Sequence, residues 1–467
     1  MYANDIAVVG LAVMGQNLAL NMARHGLGVT VYNRTWEKTE AFMAGPAQGA
    51  SIIAAMDLKA LAASLKKPRA VFLMVKAGSA VDELLDELLP WLEPGDIVMD
   101  GGNSHFEDTA ARVLRLRDKG VSLLGVGVSG GEKGALLGPS IMPGGPREAW
   151  ERVAPMLAAI AAKAGDGRPC TGYMGRDGAG HFVKMVHNGI EYGVMQLLAE
   201  AHDLLLRGHG MEARAQSEVF DEWNAGIQAS FLLEITADIL SRRDALTDAP
   251  ILDVITDTAG SKGTGLWTSR SALTLGVPVP TITAAVEARM LSNLRDMRRI
   301  AAPLLPGPRE TPPPADRECL GRALFLATLA AYAQGFALIR AAEDAWGFGL
   351  DTSEIARVWR EGCIIRAAFL DDLVHDSPAR SDAHNILLSG AFDAHVASGQ
   401  AALRRTVAQA AGFGVPVPGL AASLAYYDSL RSPRLPASLI QAQRDYFGAH
   451  GFERTDMPGV FHGPWVE

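Results

Sequence analysis

Short apolar runs alternate with amphipathic stretches over residues 1–178 of the chain. Apolar runs separated by helical patterns are typical of a parallel sheet whose strands are joined by crossover helices. Most of these runs end in turn-forming or polar residues, and open sheets of this kind bind ligands beyond the carboxyl ends of their strands. The predicted strands are Ile6–Val9, Val29–Tyr32, Val71–Val75, Ile97–Asp100 and Val121–Val126.

The strand pattern stops after Gly180, and residues 181–430 form mostly amphipathic helical stretches rich in Ala and Leu. Residues 303–316 contain too many prolines for a helix and are predicted to form a loop or linker. The predicted fold class is therefore an α/β Rossmann-type N-terminal domain followed by a large all-α domain and a C-terminal tail. The predicted domain ranges are 1–178, 179–437 and 438–467.

An internal repeat flanks the proline-rich segment. Tyr192 and Tyr332 begin similar helical stretches, and the motif LGVPVP at 275–280 is matched by FGVPVP at 413–418. A third pair of landmarks begins at Trp223 and Trp359. The three pairs occur in the same order and at nearly the same separation. They predict a duplicated helical unit, at about 181–300 and 317–430, whose two copies pack on each other.

Composition and charge narrow the class of protein. The net charge of −9 argues against a nucleic-acid partner, and three widely spaced cysteines suit a reducing compartment better than a disulfide framework or a cysteine zinc site. No apolar run reaches the roughly 18 residues that a membrane span needs. The first residues lead directly into a strand, which leaves no room for a signal peptide. We expect a cytoplasmic enzyme without a membrane partner.

A glycine motif follows the first predicted strand. Gly10 allows a tight turn and Gly15 allows close contact with a helix predicted over Met14–Arg24, whose N-terminus would offer free N–H groups to a pyrophosphate. Ala12 replaces the usual middle glycine. The motif predicts a dinucleotide site whose first contacts are Gly10, Leu11, Ala12, Val13, Met14 and Gly15.

The second predicted strand indicates which dinucleotide is bound. A cofactor without a 2′-phosphate usually meets an acidic residue there, whereas this strand is followed by Asn33, Arg34 and Thr35. A guanidinium can bind a 2′-phosphate through two hydrogen bonds, so NADP is the predicted cofactor. The alternative is that Arg34 is a solvated surface residue and Thr35 only a helix cap.

A polar stripe in the segment after Gly180 carries the candidate chemistry. One face of the predicted helix carries four polar residues, Lys184, His187, Asn188 and Glu191, while the rest of the segment is apolar. The second copy of the repeat has Leu324, Ala327, Thr328 and Ala331 at the corresponding positions. The helix can therefore be built without these polar groups, which favours a functional role over an exposed ion-pair face. A buried neutral lysine can remove the proton of an alcohol during hydride transfer, and Glu191 can serve a second proton transfer.

Nine motifs together resemble the 6-phosphogluconate dehydrogenase family, the decarboxylating enzymes, over essentially the whole chain. They are GLAVMGQNLALN, NRT, MVKAG, DGGNS, GVSGGEKGA, GPSIMPGG, DGAGHFVKMVHNGIEYG, SKGTG and IQAQRDYFGAHGFERTD. Departures from the family pattern at Lys133, Leu266 and Gly451 remove no assigned catalytic or substrate group.

The resemblance implies a two-step reaction. Lys184 would act as general base and then general acid, Glu191 as general acid at C1 of the enediol, and no metal would take part. The implied substrate contacts are Asn103, Ser129, Gly130, Gly131, His187, Asn188, Tyr192, Lys262, Thr264 and Arg289, with Arg444 and His450 contributed by the other subunit of a homodimer. The implied cofactor contacts add Asn33, Arg34, Thr35, Val75, Lys76, Ala77 and Asn103 to the glycine motif.

Two other interpretations stay open on the sequence alone. A related β-hydroxyacid dehydrogenase would oxidise a small acid without loss of CO₂, although several cations around one end of the ligand favour a phosphorylated substrate. A non-catalytic NADPH-binding protein would not need Lys184 and Glu191. Some implied substrate contacts also have a structural alternative, namely a turn at Ser129–Gly131 and surface charges at Lys262 and Arg289. The implied role of Arg444 and His450 depends on a dimer, which the sequence alone does not show.

Overall fold

A seven-stranded sheet forms the N-terminal part of the computed structural model, which describes residues 3–308, 316–375 and 385–465. The strand order is β3-β2-β1-β4-β5-β6-β7, and the first six of these strands are parallel. Strand β7 pairs antiparallel with β6 at one edge. The strands are β1 Ile6–Val9, β2 Val29–Tyr32, β3 Ile52–Ala54, β4 Ala70–Leu73, β5 Ile97–Asp100, β6 Ser122–Ser129 and β7 Ser140–Gly144.

Helices cover both faces of this sheet because successive strand residues point to opposite faces. On β1, Ile6 and Val8 pack with Leu18 in one apolar core, whereas Ala7 and Val9 pack in a second core on the other face. The helices of this part are α1 Val13–Arg24, α2 Trp36–Ala44, α3 Leu58–Ala63, α4 Ser79–Leu88, α5 Phe106–Arg117, α6 Gly131–Leu137 and α7 Arg147–Ile160.

Two long helices, α8 and α15, pack against each other within the helical part. Their buried faces share one large apolar core, which includes Phe182 and Leu324. The helices are α8 Ala179–Asp203, α9 Ala213–Trp223, α10 Phe231–Ser241, α11 Ile251–Val254, α12 Thr264–Thr274, α13 Pro280–Ser292, α14 Arg295–Ala301, α15 Arg317–Trp346, α16 Thr352–Val358, α17 Phe369–His375, α18 Asp393–Phe413 and α19 Pro418–Leu430.

The segments on the two sides of the proline-rich stretch are related in the fold. Helices α13 and α19 each begin with the proline that ends a VPVP motif, each has 13 residues, and the two pack together. Proline is well suited to a first helical position because its fixed φ matches the helix and its missing N–H has no partner there. A backbone bridge also pairs Ser230 with Ala367. The arrangement agrees with two similar units packed on each other.

The C-terminal segment forms helix α20, Ala437–Gly448, and a small hairpin of strands β8 and β9, Phe452–Glu453 and Val460–Phe461. The Asp445 carboxylate holds the segment together, since it accepts hydrogen bonds from the main-chain N–H groups of Gly451 and Gly463 and from the Trp465 indole. His462 also lies within hydrogen-bond distance of it. The tail is therefore an ordered element with its own buried polar centre.

The predicted fold class is confirmed, although the sequence pattern missed two strands of the large sheet and the two short strands of the tail. Strands Ile6–Val9, Val29–Tyr32 and Ile97–Asp100 have the predicted bounds, whereas β4 ends two residues early and β6 runs on to Ser129. Strands β3 and β7 were not predicted. Residues 309–315 of the predicted linker lie outside the described residues, and 303–308 are outside any helix or strand.

Helix α15 is long and apolar enough to cross a membrane, although the sequence pattern predicted no such segment. Of its most apolar stretch, 83% is buried inside the protein. That degree of burial is typical of a core helix of a globular domain. In the parts of the chain that the structure describes, this is the one helix with that combination of length and composition.

Candidate active site

The Lys184 side chain lies in a closed environment on α8. It is 7% exposed, and the Cβ of Lys184 packs so close to β6 that a methyl group added to Gly127 would lie 2.5 Å from it. Its amine donates a hydrogen bond of 2.6 Å to the Asn188 Oδ1 atom. Burial lowers the pKa of the Lys184 amine, and the opposing effect of the Glu191 carboxylate does not cancel the shift. The amine is thus prepared to exist in the neutral form that a general base requires.

His187 connects Lys184 to the end of strand β6. Its Nδ1 atom lies 3.1 Å from Asn188 Oδ1, an acceptor, so the ring proton belongs on Nδ1. The Nε2 atom is then free to accept from the Ser129 hydroxyl at 3.0 Å. Burial, with the charge of Lys184, holds the pKa of His187 well below its usual range. The ring is therefore a neutral, fixed hydrogen-bonding group.

Glu191 lies one turn beyond His187 on the same helix, with its Oε2 atom 3.8 Å from His187 Nδ1. Its side chain keeps 23% of its surface exposed. Burial raises the pKa of the Glu191 carboxyl, although Lys184 and Arg289 act in the opposite direction. The site thus holds a lysine that loses its proton more easily than usual and a carboxylic acid that keeps its proton longer than usual. Such a divergence of pKa values is what general base and general acid roles require.

A second cluster lies where α8 meets α12 and α13. The Arg289 guanidinium stacks on the Tyr192 ring, 3.5 Å from its centroid. Gly265 allows this close packing, since an added Cβ would lie 2.6 Å from the Tyr192 ring. Thr264, the first residue of α12, is 7% exposed beside it. The fold thus brings together Tyr192, Thr264 and Arg289, whereas Lys262 lies in the exposed loop before α12.

The glycine loop after β6 faces the second half of the helical part. Gly130 and Gly131 have φ values of +123° and +62°, and an added Cβ on Gly130 would lie 2.5 Å from the Gly362 carbonyl oxygen. The Ile364 N–H donates to the Ser129 hydroxyl at 3.3 Å. The loop containing residues 362–364 therefore supports the predicted carboxylate site, a contact that no pattern in the sequence predicts.

The tail residues Arg444 and His450 are both exposed. Arg444 donates to Gln441 on its own helix, and His450 packs edge-on against Phe447. Within the one chain described, these contacts place both residues in the C-terminal segment itself. Gly451, which follows His450, has a φ of +71° that favours glycine, and its N–H is held by Asp445. The loop that presents His450 is therefore fixed at this departure from the family pattern.

The glycine motif forms the turn that the sequence predicts. Gly10 has a φ of +101°, and an added Cβ would lie 2.4 Å from the Met74 carbonyl oxygen. A Cβ on Gly15 would lie 1.9 Å from the Gly10 carbonyl oxygen. The turn delivers the N-terminus of α1, where Ala12 is the capping residue and offers no side-chain hydrogen bond. The first main-chain N–H groups of the helix are thus available to a phosphate.

A cleft of about 290 Å³ opens beside this turn. The Asn33 side chain fixes its floor by accepting from the Leu11 N–H at 3.1 Å and donating to the Thr35 carbonyl. Predicted cofactor residues that line the cleft are Gly10, Ala12, Asn33, Arg34, Thr35, Val75 and Lys76. Leu11, Val13, Met14, Gly15 and Ala77 lie in the adjoining turn, helix and loop, and exposed Asn103 lies in the loop after β5.

Lys38 also lines the cleft and was missed in the sequence. It lies in the first turn of α2, where a cation is electrostatically unfavourable because the helix dipole is positive there. Lys38 follows Arg34 by four residues, and this second cation beside the predicted 2′-phosphate site could have been found from the sequence. The charged residues that line the cleft are three cations, Arg34, Lys38 and Lys76, and two carboxylates, Glu83 and Glu87. The excess of cations suits a phosphorylated dinucleotide.

The fold and the site together define a dinucleotide-dependent dehydrogenase. In the described residues, no group of three or more His, Cys, Asp or Glu side chains is arranged to hold a metal ion. Residues 5–188 match the model of the NAD binding domain of 6-phosphogluconate dehydrogenase, and residues 180–465 match that of the 6-phosphogluconate dehydrogenase C-terminal domain. The chain belongs to the 6-phosphogluconate dehydrogenase family, as its motifs predicted.

Similar proteins match the chain over its whole length. The NADP(+)-dependent, decarboxylating 6-phosphogluconate dehydrogenase of Bacillus subtilis is 50% identical over 100% of both chains. The decarboxylating 6-phosphogluconate dehydrogenase of Escherichia coli K12 is 48% identical over 100% of both. Among solved structures, the Plasmodium falciparum 6-phosphogluconate dehydrogenase, studied as apo form and with NADP+ or 6-phosphogluconate, is 40% identical with a TM-score of 0.93. That comparison covers 99% of this chain and 100% of the other.

Proposed function

We propose that this chain catalyses the NADP-dependent oxidative decarboxylation of 6-phosphogluconate to ribulose 5-phosphate, CO₂ and NADPH. The observation that carries the proposal is the buried Lys184 amine, held by Asn188 at 2.6 Å in a chain that matches decarboxylating relatives from end to end. The opposite pKa shifts of Lys184 and Glu191 support the two proton transfers that the reaction needs.

In the first step, neutral Lys184 accepts the proton of the C3 hydroxyl group while the C3–H bond breaks. Bound NADP+ supplies the acceptor for that hydride. The product is a β-keto acid and a protonated Lys184. Asn188 holds the amine in place by accepting a hydrogen bond from it, so that the lone pair of the amine is directed at one hydroxyl group rather than at solvent.

In the second step, the C1–C2 bond of the β-keto acid breaks and CO₂ leaves. The electron pair moves toward the C3 carbonyl oxygen, which takes a proton back from Lys184 and gives an enediol. Glu191 then donates a proton to the carbon that lost CO₂ and becomes a carboxylate, while neutral Lys184 takes the proton of the C3 hydroxyl group, which becomes the ketone of the product. A raised pKa suits Glu191 to this role, because the acid must still hold its proton near neutral pH.

The site residues divide by the part of the substrate that they contact. Ser129, Gly130 and Gly131 hold the carboxylate end, and Asn103, His187 and Asn188 hold the hydroxyl groups. Tyr192, Lys262, Thr264 and Arg289 hold the phosphate. The stacking of Arg289 on Tyr192 supports this assignment because it fixes the guanidinium at one end of the site.

The cleft beside Gly10 would hold NADP, and the main-chain N–H groups at the N-terminus of α1 would bind its pyrophosphate. Arg34 and Thr35 bind the 2′-phosphate, and Lys38 adds a second cation. The loop of Val75, Lys76 and Ala77 and the Asn103 side chain would contact the cofactor as well. The excess of cations over carboxylates in the lining of the cleft supports a phosphorylated cofactor over an unphosphorylated one.

The active assembly is a homodimer in which the tail of each subunit, residues 438–467, completes the other subunit's site with Arg444 and His450. Supporting this, the tail exposes Phe447 at 73%, and α14 with the residues after it exposes Met297 at 63% and Leu304 at 72%. Apolar side chains exposed in such number are typical of a subunit interface. The domain ranges 1–178 and 179–437 and the cytoplasmic location belong to the same proposal.

The test is to mix the purified protein with NADP+ and 6-phosphogluconate and to follow NADPH absorbance and CO₂ release together. Equal amounts of NADPH and CO₂ are expected. NADPH without CO₂ would instead indicate a β-hydroxyacid dehydrogenase that only oxidises, and no NADPH would overturn the proposed function. Unphosphorylated gluconate is the matched control substrate, and its turnover should be much slower because it leaves the phosphate contacts empty.

A further inference from the structure

The Asp100 carboxylate lies at the carboxyl end of β5 and is fully buried. It accepts hydrogen bonds from the Gly102 N–H at 3.0 Å and from the Ser104 hydroxyl at 2.6 Å. These bonds fix the loop 101–104, which carries Asn103. A charged group without water is costly unless it is paired. The buried Asp100 carboxylate is therefore expected to lie beside a cation.

Arg112 on α5 supplies that cation and is itself 4% exposed. Its Nη1 atom lies 3.8 Å from Asp100 Oδ2. The same guanidinium binds the Asp82 carboxylate on α4 through two hydrogen bonds of 2.8 and 2.7 Å. Its Nη2 atom also donates to the Gly78 carbonyl oxygen at 3.1 Å. One planar group thus connects two strand-to-helix loops, since Gly78 ends the loop that begins at Val75.

The two loops also contact each other directly. A Cβ added to Gly102 would lie 3.1 Å from the Val75 carbonyl oxygen. Because they follow the neighbouring strands β4 and β5, both loops lie at the carboxyl edge of the sheet, where ligands bind in this kind of fold. Their relative position therefore sets the shape of the site between the cofactor cleft and α8.

His181 connects Asp100 to helix α8, which carries Lys184. Its Nε2 atom lies 3.0 Å from the Asp100 carbonyl oxygen and its Nδ1 atom 2.6 Å from the Thr109 hydroxyl. The carbonyl can only accept, so Nε2 carries the proton and Nδ1 accepts from Thr109. His181 precedes Lys184 by three residues on α8, one helical turn. Through Asp100, the two loops are held in a fixed position relative to Lys184.

We propose that Arg112 is a positioning residue for hydride transfer, which fixes loops 75–78 and 101–104 relative to each other and to Lys184. The inference rests on the proposed function, because it assumes that these loops flank the reacting ends of substrate and cofactor. Arg112 itself contacts neither the substrate nor the cofactor in this proposal. It acts through Gly78 and Asp100, and its loss displaces the two loops without removing a group that contacts the reactants.

The chain contains a matched control in the same sheet. Arg69, just before β4, is 8% exposed and binds Asp96 at 2.8 Å through Nη1. This buried pair lies at the amino end of β4 and β5, away from the proposed site, because parallel strands place their amino ends at one edge. Arg69→Met therefore removes a buried ion pair of the same kind without touching either loop.

The experiment compares Arg112→Met with Arg69→Met, using NADP+ and 6-phosphogluconate with hydrogen or deuterium at C3. For Arg112→Met we expect kcat to fall by at least tenfold and the primary isotope effect on kcat to increase. Arg69→Met should lose thermal stability but keep the wild-type isotope effect. Arg112→Lys should recover part of kcat. An unchanged isotope effect in Arg112→Met, or an equal change in Arg69→Met, would overturn the proposal.

Asp82→Asn keeps the test decisive if Arg112→Met does not fold. The Asp82 side chain is 41% exposed, so its substitution is tolerated more easily, and it still removes a partner of Arg112. A smaller loss of kcat with an increased isotope effect is expected, and wild-type behaviour of this variant would count against the proposal. A wild-type protein without any turnover would contradict the proposed function instead.

Discussion

The Lys184 amine nitrogen lies 2.6 Å from the Asn188 side-chain oxygen, one turn further along α8. A neutral amide oxygen accepts a hydrogen bond without adding a charge, so it orients the amine but does not stabilise the ammonium form as a carboxylate would. Burial therefore lowers the pKa of Lys184, and a neutral residue at position 188 orients the amine without opposing that shift.

Asn188→Asp should shift the pH dependence of turnover. A carboxylate beside Lys184 favours its charged form and raises its pKa. Because the base must be neutral in free enzyme, the acidic limb of kcat/KM for 6-phosphogluconate should move to higher pH by about one unit or more. The measurement is a pH profile of kcat/KM for wild type and variant.

Asn188→Ala is the control for that profile. It removes the hydrogen bond without adding a charge, so turnover should fall while the acidic limb stays within a few tenths of its wild-type position. If Asn188→Asp leaves the acidic limb where it is, Lys184 is not the group whose deprotonation limits the reaction.

Glu191→Gln should separate oxidation from release of the final product. The amide keeps the size of the side chain but cannot donate the proton to the enediol carbon, so kcat should fall about 10²–10⁴-fold. In the proposed mechanism oxidation depends on Lys184 and not on Glu191, so a rapid burst of NADPH should precede the slow steady state. Stopped-flow absorbance measures both phases, with Glu218→Gln on the exposed face of α9 as control. Loss of the burst along with the steady state would contradict the assignment.

Much of the fold followed from the sequence because apolar runs buried on both faces carry a strong signal. Strand β1 is a run of four buried residues and was predicted to the residue. Strand β3 has three residues, with Ile53 45% exposed at the edge of the sheet, and β7 contains Pro143 and ends in a glycine. An edge strand tolerates proline, as β7 does although all its residues are buried, and the short β3 needs little buried surface. Both sequences therefore resemble loops.

The contacts within the candidate site could be predicted where both residues lie on one helix, and not where segments distant in the sequence meet. The spacing of Lys184, His187 and Asn188 fixed their contact through helical geometry alone. The contact of Arg112 with Asp82 spans 30 residues and two helices. An arginine on an amphipathic helix has the same pattern whether it faces water or a buried carboxylate, so only the tertiary structure reveals it.

Arg34→Asp should weaken NADP+ binding far more than NAD+ binding. It replaces two charge-assisted hydrogen bonds to a 2′-phosphate by repulsion, which we expect to raise the NADP+ KM at least a hundredfold, equivalent to about 3 kcal/mol. Lys38→Met should give a smaller increase in the same direction. Initial rates with each cofactor measure the effect, with exposed Lys59→Met as control. Equal losses for both cofactors would show that Arg34 does not contact the 2′-phosphate.

Mixing two inactive variants should restore activity if the tail acts in the partner's site. A heterodimer of Lys184→Ala and Arg444→Ala contains one site with both residues intact and one with neither. Random exchange gives half heterodimers, each with one working site, so about a quarter of wild-type activity is expected. The variants are unfolded and refolded together, and each alone serves as control. If Arg444 acts in its own subunit, no site is complete and the mixture stays inactive.

Glu200 should make the protein less stable as pH rises through neutrality. It is 2% exposed on α8, and its two oxygens accept hydrogen bonds from the Gly419 and Leu420 N–H groups at the start of α19. Burial raises the pKa of Glu200 to about 7, although these bonds and that of Gln196 lower it. The native state therefore keeps a proton that the unfolded chain releases near the ordinary value of 4.5.

Between about pH 4.5 and pH 7 the native state binds more protons than the unfolded state, so the free energy of unfolding falls as pH rises. The full difference corresponds to at most about 3 kcal/mol. Glu200→Gln cannot ionise and keeps one acceptor oxygen, so its stability relative to wild type should increase from pH 5 to pH 8. Urea denaturation at both pH values measures this, with exposed Glu287→Gln on α13 as control. A stability difference that stays constant with pH would show that Glu200 is already ionised at pH 5, with its charge stabilised by the N-terminus of α19.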